Sequence, residues 1–147
     1  ESLVVIVRRS HPAVAEAIEG QLSLATLSKY AHLVVTEGDM LEDVWITRLL
    51  NKRGIQHVVG SQIPNVGAAQ GMLENTDMLC IGAEKCFLSL VRDQELVCLK
   101  PPEELGISEY DVDLVWHPRI EQNPQLTWVK DALVLAANRQ LGNSNNH

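Results

Sequence analysis

The stretch VVGSQIPNVGAAQGMLENTDMLCIG, residues 58–82, changes its apolar period twice and therefore combines two kinds of secondary structure. It begins inside a short apolar run, 57–60, that is typical of a strand, and Ile63-Pro64-Asn65 predicts a turn. Apolar residues then recur at helical spacing over 66–75, and 77–81 again has a strand pattern. A strand, a helix and a strand in this order favour two parallel strands joined by a crossover helix.

The same alternation continues on both sides of this stretch. Further strands are predicted at 3–7, 32–36, 96–99 and 112–116, helices at 40–53, 83–91 and from Pro124 to Gly142, and a short helix or turn at 23–30. This order predicts the α/β class, with an open, mostly parallel sheet and helices on both faces. Ligands of such sheets bind at the carboxyl ends of strands, so the turns after Thr36 and Ile63 form the predicted binding edge.

Composition and charge exclude several classes of function. With 147 residues the chain is large enough for one domain with a core, and no apolar run approaches the roughly 20 residues of a membrane span. The net charge of −7 predicts that this segment does not bind nucleic acid directly. Its first residues, ESLVVIVRRSHP, do not resemble a signal peptide. Cys80, Cys86 and Cys98 have apolar neighbours and predict buried thiols in a reducing compartment, so we expect a cytoplasmic location.

No catalytic, metal or cofactor site is predicted. His117 has no Ser or Cys nucleophile at a known spacing, and no second His or carboxylate at metal-ligand spacing. The cysteines lack the CxxC spacing of zinc sites. His117-Pro118 repeats the His11-Pro12 dipeptide that ends the first apolar run, which favours a structural role for both histidines.

The turn after the strand 32–36 is the first candidate binding site. Thr36 offers a hydroxyl group, and Glu37 and Gly38 offer backbone N–H groups at the start of a helix, where an anion such as a carboxylate is favoured. The acidic side chains of Glu37 and Asp39 oppose an anionic ligand. The alternative is that Asp39 only caps the helix.

Four segments resemble, in order and spacing, the effector-binding domain of LysR-type transcriptional regulators. They are RRSHPAV at 8–14, LSKYAHLVVTEGD at 27–39, the stretch at 58–82, and LVWHPRIEQNPQLTWVKDAL at 114–133. The resemblance covers most of the chain and implies a periplasmic-binding-protein type 2-like fold, in which two crossover segments join two α/β lobes. It places a complete second lobe at 13–107, parts of the first lobe at 1–12 and 108–142, and a polar tail at 143–147.

The resemblance also implies a function. In the family a small-molecule effector binds in the cleft between the lobes and changes the arrangement of a homo-oligomer, and a separate winged helix-turn-helix domain, absent from this chain, binds DNA. The turn Pro64-Asn65-Val66 would face the effector, and the alternative is that Asn65 only caps a helix. Trp116 would stack on an effector ring, and the alternative is that it packs in the core or at a hinge. Small aromatic or carboxylic acids are the expected effectors.

The strongest alternative function is a solute-binding component of a transport system with the same two-lobe fold. The unpaired cysteines and the lack of a signal peptide favour the regulator. An enzyme is not expected, because the sequence shows no convergent nucleophile or acid–base group. An incomplete first lobe further predicts an exposed apolar surface and self-association.

Overall fold

The computed structural model describes residues 1–36, 45–91, 95–106, 111 and 113–142. The chain divides into two units, Glu1–Asp111 and Val112–His147, and each is described by itself. The predicted cap Asp39 and the first residues of the predicted helix 40–53 lie outside the described residues.

The first unit is an α/β layer whose described elements alternate along the chain. Its strands are β1 (Leu3–Arg8), β2 (His32–Val35), β3 (Val59–Ile63), β4 (Leu79–Ala83) and β5 (Leu96–Leu99). Its helices are α1 (Pro12–Glu16), α2 (Leu24–Lys29), α3 (Trp45–Lys52), α4 (Ala69–Glu74) and α5 (Glu84–Val91). Short 3-10 turns occupy Val66–Ala68 and Glu103–Leu105.

The strands form one sheet in the order β3-β2-β4-β1-β5. β2 pairs in parallel with β3 and β4, with Val35 opposite Ile63. β1 lies antiparallel between β4 and β5, with Val5 opposite both Ile81 and Leu99. The predicted α/β class is confirmed, and four of the five strands point the same way. The reversed direction of β1 was not predicted, because the apolar pattern of a strand is the same in both directions.

Apolar side chains from both faces of the sheet form two cores, because successive residues of a buried strand point to opposite faces. Val5 and Val7 belong to one core, and Val4 and Ile6 belong to the other. The first core also receives helix residues from α2 and α3, namely Leu27, Ile46 and Leu50. The second receives residues from α4 and α5, namely Leu73, Phe87 and Leu90. Helices therefore cover both faces, as predicted.

The position of β1 bears on the predicted lobe boundaries. The resemblance places residues 1–12 in the first lobe, and β1 is hydrogen-bonded into the same sheet as β2 to β5. Residues 1–12 and 13–107 therefore share one compact unit. The assignments of 1–12 and 108–142 to a first lobe and of 13–107 to a second lobe stay predictions.

The second unit consists of a 3-10 turn, Pro118–Gln122, and the helix α6, Pro124–Gly142. Asn123 caps α6 as predicted, since its Oδ1 accepts from the backbone N–H of Gln125 at 3.0 Å. The predicted strand 112–116 is wrong for 113–116, which are irregular and exposed, and residue 112 lies outside the description. A strand requires a partner for its backbone groups, and none of the described strands pairs with this segment.

The three cysteines differ in their surroundings. Cys80 is buried, and burial raises the pKa of its thiol to about 12, while Cys98 is half-buried. The prediction of a buried thiol is wrong for Cys86, which is exposed. The reason is helical geometry: Phe87 and Leu90, three residues apart, share the buried face of α5. No helix of the described residues is long and apolar enough to cross a membrane.

Candidate ligand-binding site

A cavity of about 230 Å³ lies in the first unit along β2. It extends from His32, the first residue of β2, to Thr36, the residue that follows the strand. The remaining lining comes from α3, from the carboxyl end of β4, from the start of α5 and from the 3-10 turn, and it includes Trp45, Ile46, Val66, Ile81, Gly82, Ala83, Cys86 and Phe87. The cavity therefore reaches the sheet edge at which ligands of α/β proteins bind.

Parallel pairing places Thr36, the first residue of one predicted binding turn, beside the start of the other predicted turn at this edge. Thr36 donates its backbone N–H to the carbonyl oxygen of Ile63 at 3.0 Å, so the turn after β2 begins beside the turn after β3. Thr36 and Val66 both line the cavity. Pro64 and Asn65 directly precede Val66 in the chain. Both are exposed, and neither lines the cavity.

The other predicted site residues cannot be placed at this cavity. Glu37 and Gly38 lie outside the described residues. Trp116 belongs to the second unit and is 41% exposed. Effector contact by these residues, and by Thr36, Pro64, Asn65 and Val66, stays a prediction.

The alternative interpretation of Asn65 as a side-chain cap is wrong. Asn65 stands before the 3-10 turn in an extended conformation, and its side chain makes no capping hydrogen bond. Its backbone carbonyl oxygen accepts from the backbone N–H of Ala68 at 3.3 Å. The helix that follows, α4, begins at Ala69 and has six residues.

Gly82 shapes the wall of the cavity between β4 and α5. A Cβ atom at Gly82 would lie 2.5 Å from Cε2 of Phe87, whose ring is buried in the second core. Glycine at this position therefore permits α5 to pack closely on the end of β4. The close contact between Gly82 and Phe87 was not predicted from the sequence, because it joins two different elements.

Polar groups line the cavity near the first residue of β2. Nδ1 of His57 lies 3.0 Å from the hydroxyl oxygen of Thr47, and Nε2 of His32 donates to the carbonyl oxygen of Leu27 at 2.9 Å. The two imidazole rings meet edge to face, with 4.7 Å between their centroids. Burial lowers the pKa of His57 to about 4, with a further contribution from His32, and burial lowers the pKa of His32 as well. Both rings are therefore neutral at neutral pH.

The histidine pair was not predicted from the sequence. A usable signal was present, because His32 and His57 each come directly before apolar residues, in HLVV and HVV. A polar ring at such a position is buried when its strand joins the sheet. Among the residues that the structure describes, no group of three His, Cys, Asp or Glu side chains is placed to hold a metal ion.

A second hollow, of about 590 Å³, lies where β1 begins and β5 ends. Its lining includes Ser2, Glu84, Lys100 and Glu103 and contains none of the predicted binding residues. The cavity along β2 is the better candidate, because it alone of the two includes Thr36 and Val66.

The family of the chain follows from comparison with known proteins. Residues 1–137 match the family model described as the LysR substrate binding domain. The chain therefore belongs to this family, and its fold is the periplasmic-binding-protein type 2-like fold that the resemblance implied. The LysR family is one of transcription factors and not of enzymes, in agreement with the sequence prediction.

Individual relatives support the same class. The HTH-type transcriptional regulator SyrM of Rhizobium meliloti (strain 1021) is 25% identical over 138 residues, which are 93% of this chain and 40% of SyrM. The structure of the probable transcriptional regulator PA0477 from Pseudomonas aeruginosa aligns with a TM-score of 0.59 and 28% identity, over 77% of this chain and 34% of that one. The effector-binding domain of QuiR, in complex with shikimate, aligns with a TM-score of 0.54 and 20% identity, over 77% and 48%. The chain thus spans less than half the length of each of these relatives.

Proposed function

We propose that this chain is the small-molecule-sensing part of a bacterial LysR-type transcriptional regulator that acts in the cytoplasm. The observation that carries the proposal is the cavity along β2, whose lining extends to Thr36 and Val66 at the binding edge of a LysR-family fold. DNA is bound by a separate winged helix-turn-helix domain of the whole regulator. The family match favours this function over the solute-binding component of a transport system.

The effector is a small ring compound with polar substituents. The walls of the cavity include the apolar side chains of Val34, Ile46 and Ile81, while Thr36 and the two histidines supply polar groups. Its volume of about 230 Å³ is below the roughly 300 Å³ at which pockets for drug-sized ligands begin. The shikimate bound by the related QuiR domain is a ligand of this size class.

Signalling is a shift between conformations. An effector changes the equilibrium between two arrangements only if it binds one of them more tightly, and the same coupling then acts on the oligomer and its DNA. Exposed apolar side chains support the proposal of a homo-oligomer. On α6 they include Trp128 at 71% exposure, Leu133 at 52% and Leu135 at 53%.

Tryptophan fluorescence tests the proposed ligand site. Trp45 lines the cavity, whereas Trp116 and Trp128 belong to the second unit. In the double variant Trp116→Phe/Trp128→Phe, Trp45 is the remaining tryptophan, and titration with shikimate, benzoate or salicylate should change its emission saturably. The matched control is the same double variant with Val34→Phe, which fills the cavity and should abolish the change. If none of the three acids changes the emission or the thermal midpoint at millimolar concentration, the proposal is wrong for this class of effector.

A further inference from the structure

We propose that Trp45 selects the ring of the ligand in this cavity, by stacking its indole on a flat aromatic ring in preference to a saturated ring of similar size. The inference rests on the proposed function, since it names the ligand class of the same site. It goes beyond the residues that were predicted to contact an effector, which do not include Trp45.

The first observation is the accessible surface of Trp45. This side chain lines the cavity and is 42% exposed. Most of the surface of a tryptophan belongs to its ring, so exposure of this extent leaves part of the indole accessible. Ligand pockets are lined mainly by apolar and aromatic side chains, and a ligand that covers such surface removes it from water.

The second observation is that the other aromatic rings of the lining are packed against the protein. Phe87 is 1% exposed and belongs to the second core. His32 is 3% exposed, and its ring meets that of His57 edge to face. Among the lining residues that the structure describes, Trp45 is therefore the aromatic side chain with the most accessible surface.

The tryptophan that was predicted to stack on an effector, Trp116, is engaged differently. Nζ of Lys130 lies 4.9 Å from the centroid of the Trp116 ring, so a cation covers one face of this ring. Trp116 also belongs to the second unit, whereas Trp45 lies in the same unit as the cavity. Of the two tryptophans, Trp45 is therefore the better candidate for ring stacking.

The third observation is that the backbone beneath Trp45 is anchored. Trp45 is the first residue of α3, and Ile46 and Leu50 of the same helix are buried in the first core. The helix therefore holds the Cα atom of Trp45 in place. A tryptophan side chain has only two rotatable bonds, so little conformational freedom is lost when a ligand orders it.

The charge of the lining favours ring contact as the source of selectivity. The lining residues that the structure describes include no Asp, Glu, Lys or Arg, so these side chains form no ion pair with a ligand. Two aromatic rings attract each other in offset-stacked or edge-to-face arrangements, beyond the effect of the area that they bury. A saturated ring is puckered and has no π-system, so it gains only the burial.

Benzoate and cyclohexanecarboxylate test this selection, because they share one carboxylate and differ in the ring. Isothermal titration calorimetry of the original chain should give an affinity about fivefold higher for benzoate, as expected for one aromatic pair. In Trp45→Leu the preference should fall to within about twofold, while Trp45→Phe, which keeps an aromatic ring, should retain part of it. Trp128→Leu, which alters a tryptophan of the second unit, is the matched control and should leave the preference unchanged.

Nuclear magnetic resonance supplies a signature that a purely structural role of Trp45 does not produce. Bound benzoate should move the indole proton resonances of Trp45 upfield through its ring current, and bound cyclohexanecarboxylate should not. These resonances are assigned by their loss in Trp45→Phe.

The outcomes separate this inference from the proposed function. If both acids bind and Val34→Phe abolishes their binding, but benzoate is not preferred or its preference persists in Trp45→Leu, the inference is wrong and the cavity remains a ligand site. If neither acid binds the original chain at millimolar concentration, both the inference and the proposed site are wrong for this class of effector. Should Trp45→Leu not fold, the ring-current shift in the original chain decides, and its absence at saturation with benzoate overturns the inference.

Discussion

The two His-Pro dipeptides form the same local structure in very different surroundings. In each, proline occupies the start of a helical turn, and Nδ1 of the histidine accepts from the backbone N–H two residues later, at 2.9 Å for His11 and 3.1 Å for His117. His11 is 2% exposed, whereas His117 is exposed. The dipeptide thus determines the cap, and the rest of the fold determines what that cap contributes to stability.

The additional contacts of His11 all come from distant residues. Its Nε2 lies 3.0 Å from the carbonyl oxygen of Asp77, and its ring meets that of Tyr30 with 4.6 Å between centroids. The carboxylate of Asp77 also pairs with Arg8 at 2.7 Å, which ties the end of β1 to the residues before β4. His11 therefore joins three segments, whereas the hydrogen bond that Nδ1 of His117 accepts from Arg119 lies within its own turn.

The largest effect is expected from removing the two histidines in turn. His11→Ala should lower the free energy of unfolding by about 3 kcal/mol, because it leaves a cavity and removes the partner of two backbone groups. His117→Ala should cost only about 0.5 kcal/mol, the low end of the range for losing a cap. Urea unfolding followed by circular dichroism measures both, and equal losses would contradict the comparison.

Substitutions of two glycines, Gly82 and Gly71, test the same distinction between local and tertiary effects. Gly82→Ala should lower the free energy of unfolding by about 2 kcal/mol, because the added methyl group meets the buried ring of Phe87. Gly71→Ala should instead stabilise by about 0.5 kcal/mol, since Gly71 lies within α4 and a Cβ there meets no atom within 4 Å. Thermal unfolding of the two variants under one set of conditions is the measurement. A destabilised Gly71→Ala, or an unchanged Gly82→Ala, would show that the packing differs from that described.

The smallest of the three effects is a pH dependence that comes from His57. Its folded-state pKa of about 4 lies below the ordinary 6.5, so folding favours the neutral ring. The stabilisation is complete above pH 6.5 and is lost as the pH falls toward 4, because the unfolded chain then binds the proton more readily. Between pH 7.5 and pH 5 the free energy of unfolding should fall by about 1–2 kcal/mol from this group, allowing for its partial solvent contact.

His57→Phe is the control for this pH dependence. It removes the titrating ring, so the fall in stability between pH 7.5 and 5 should become smaller, although not zero. His32 remains, and its lowered pKa acts in the same direction. An unchanged pH dependence in the variant would mean that His57 is not the group responsible.

Part of the fold could be predicted because its signals are local. The strand at 96–99 has the bounds of β5, and Asn123 caps α6 as predicted. Of the short helix or turn predicted at 23–30, the helix is present as α2, with Ser23 as its cap. The sequence pattern gave a wrong prediction at 113–116. Apolar and polar residues alternate there as they do in a strand, but no described strand pairs with this segment. The prediction of a buried thiol was also wrong for Cys86, because apolar neighbours in the sequence do not show which face of α5 a residue occupies.

The candidate site was predictable only at its carboxyl edge. Thr36 and Val66 follow strands, and parallel strands end together, so their placement beside one cavity could be expected from the chain order. His57, Thr47 and Gly82 could not be found in this way. Each matters through one contact with a residue of another element, and such contacts exist only once the helices have packed on the sheet.

The amino-acid sequence alone determined the type of most elements, the caps at His11, Ser23 and Asn123, the α/β class and the membership of the LysR family. These depend on apolar period, turn chemistry and side chains acting on neighbouring backbone, all of which operate over a few residues. Only the tertiary structure decided the direction of β1, the burial of His11 and the enclosure of His57 beside the cavity. Those features depend on pairing and desolvation between segments that are distant in the chain, for which short-range patterns carry no information.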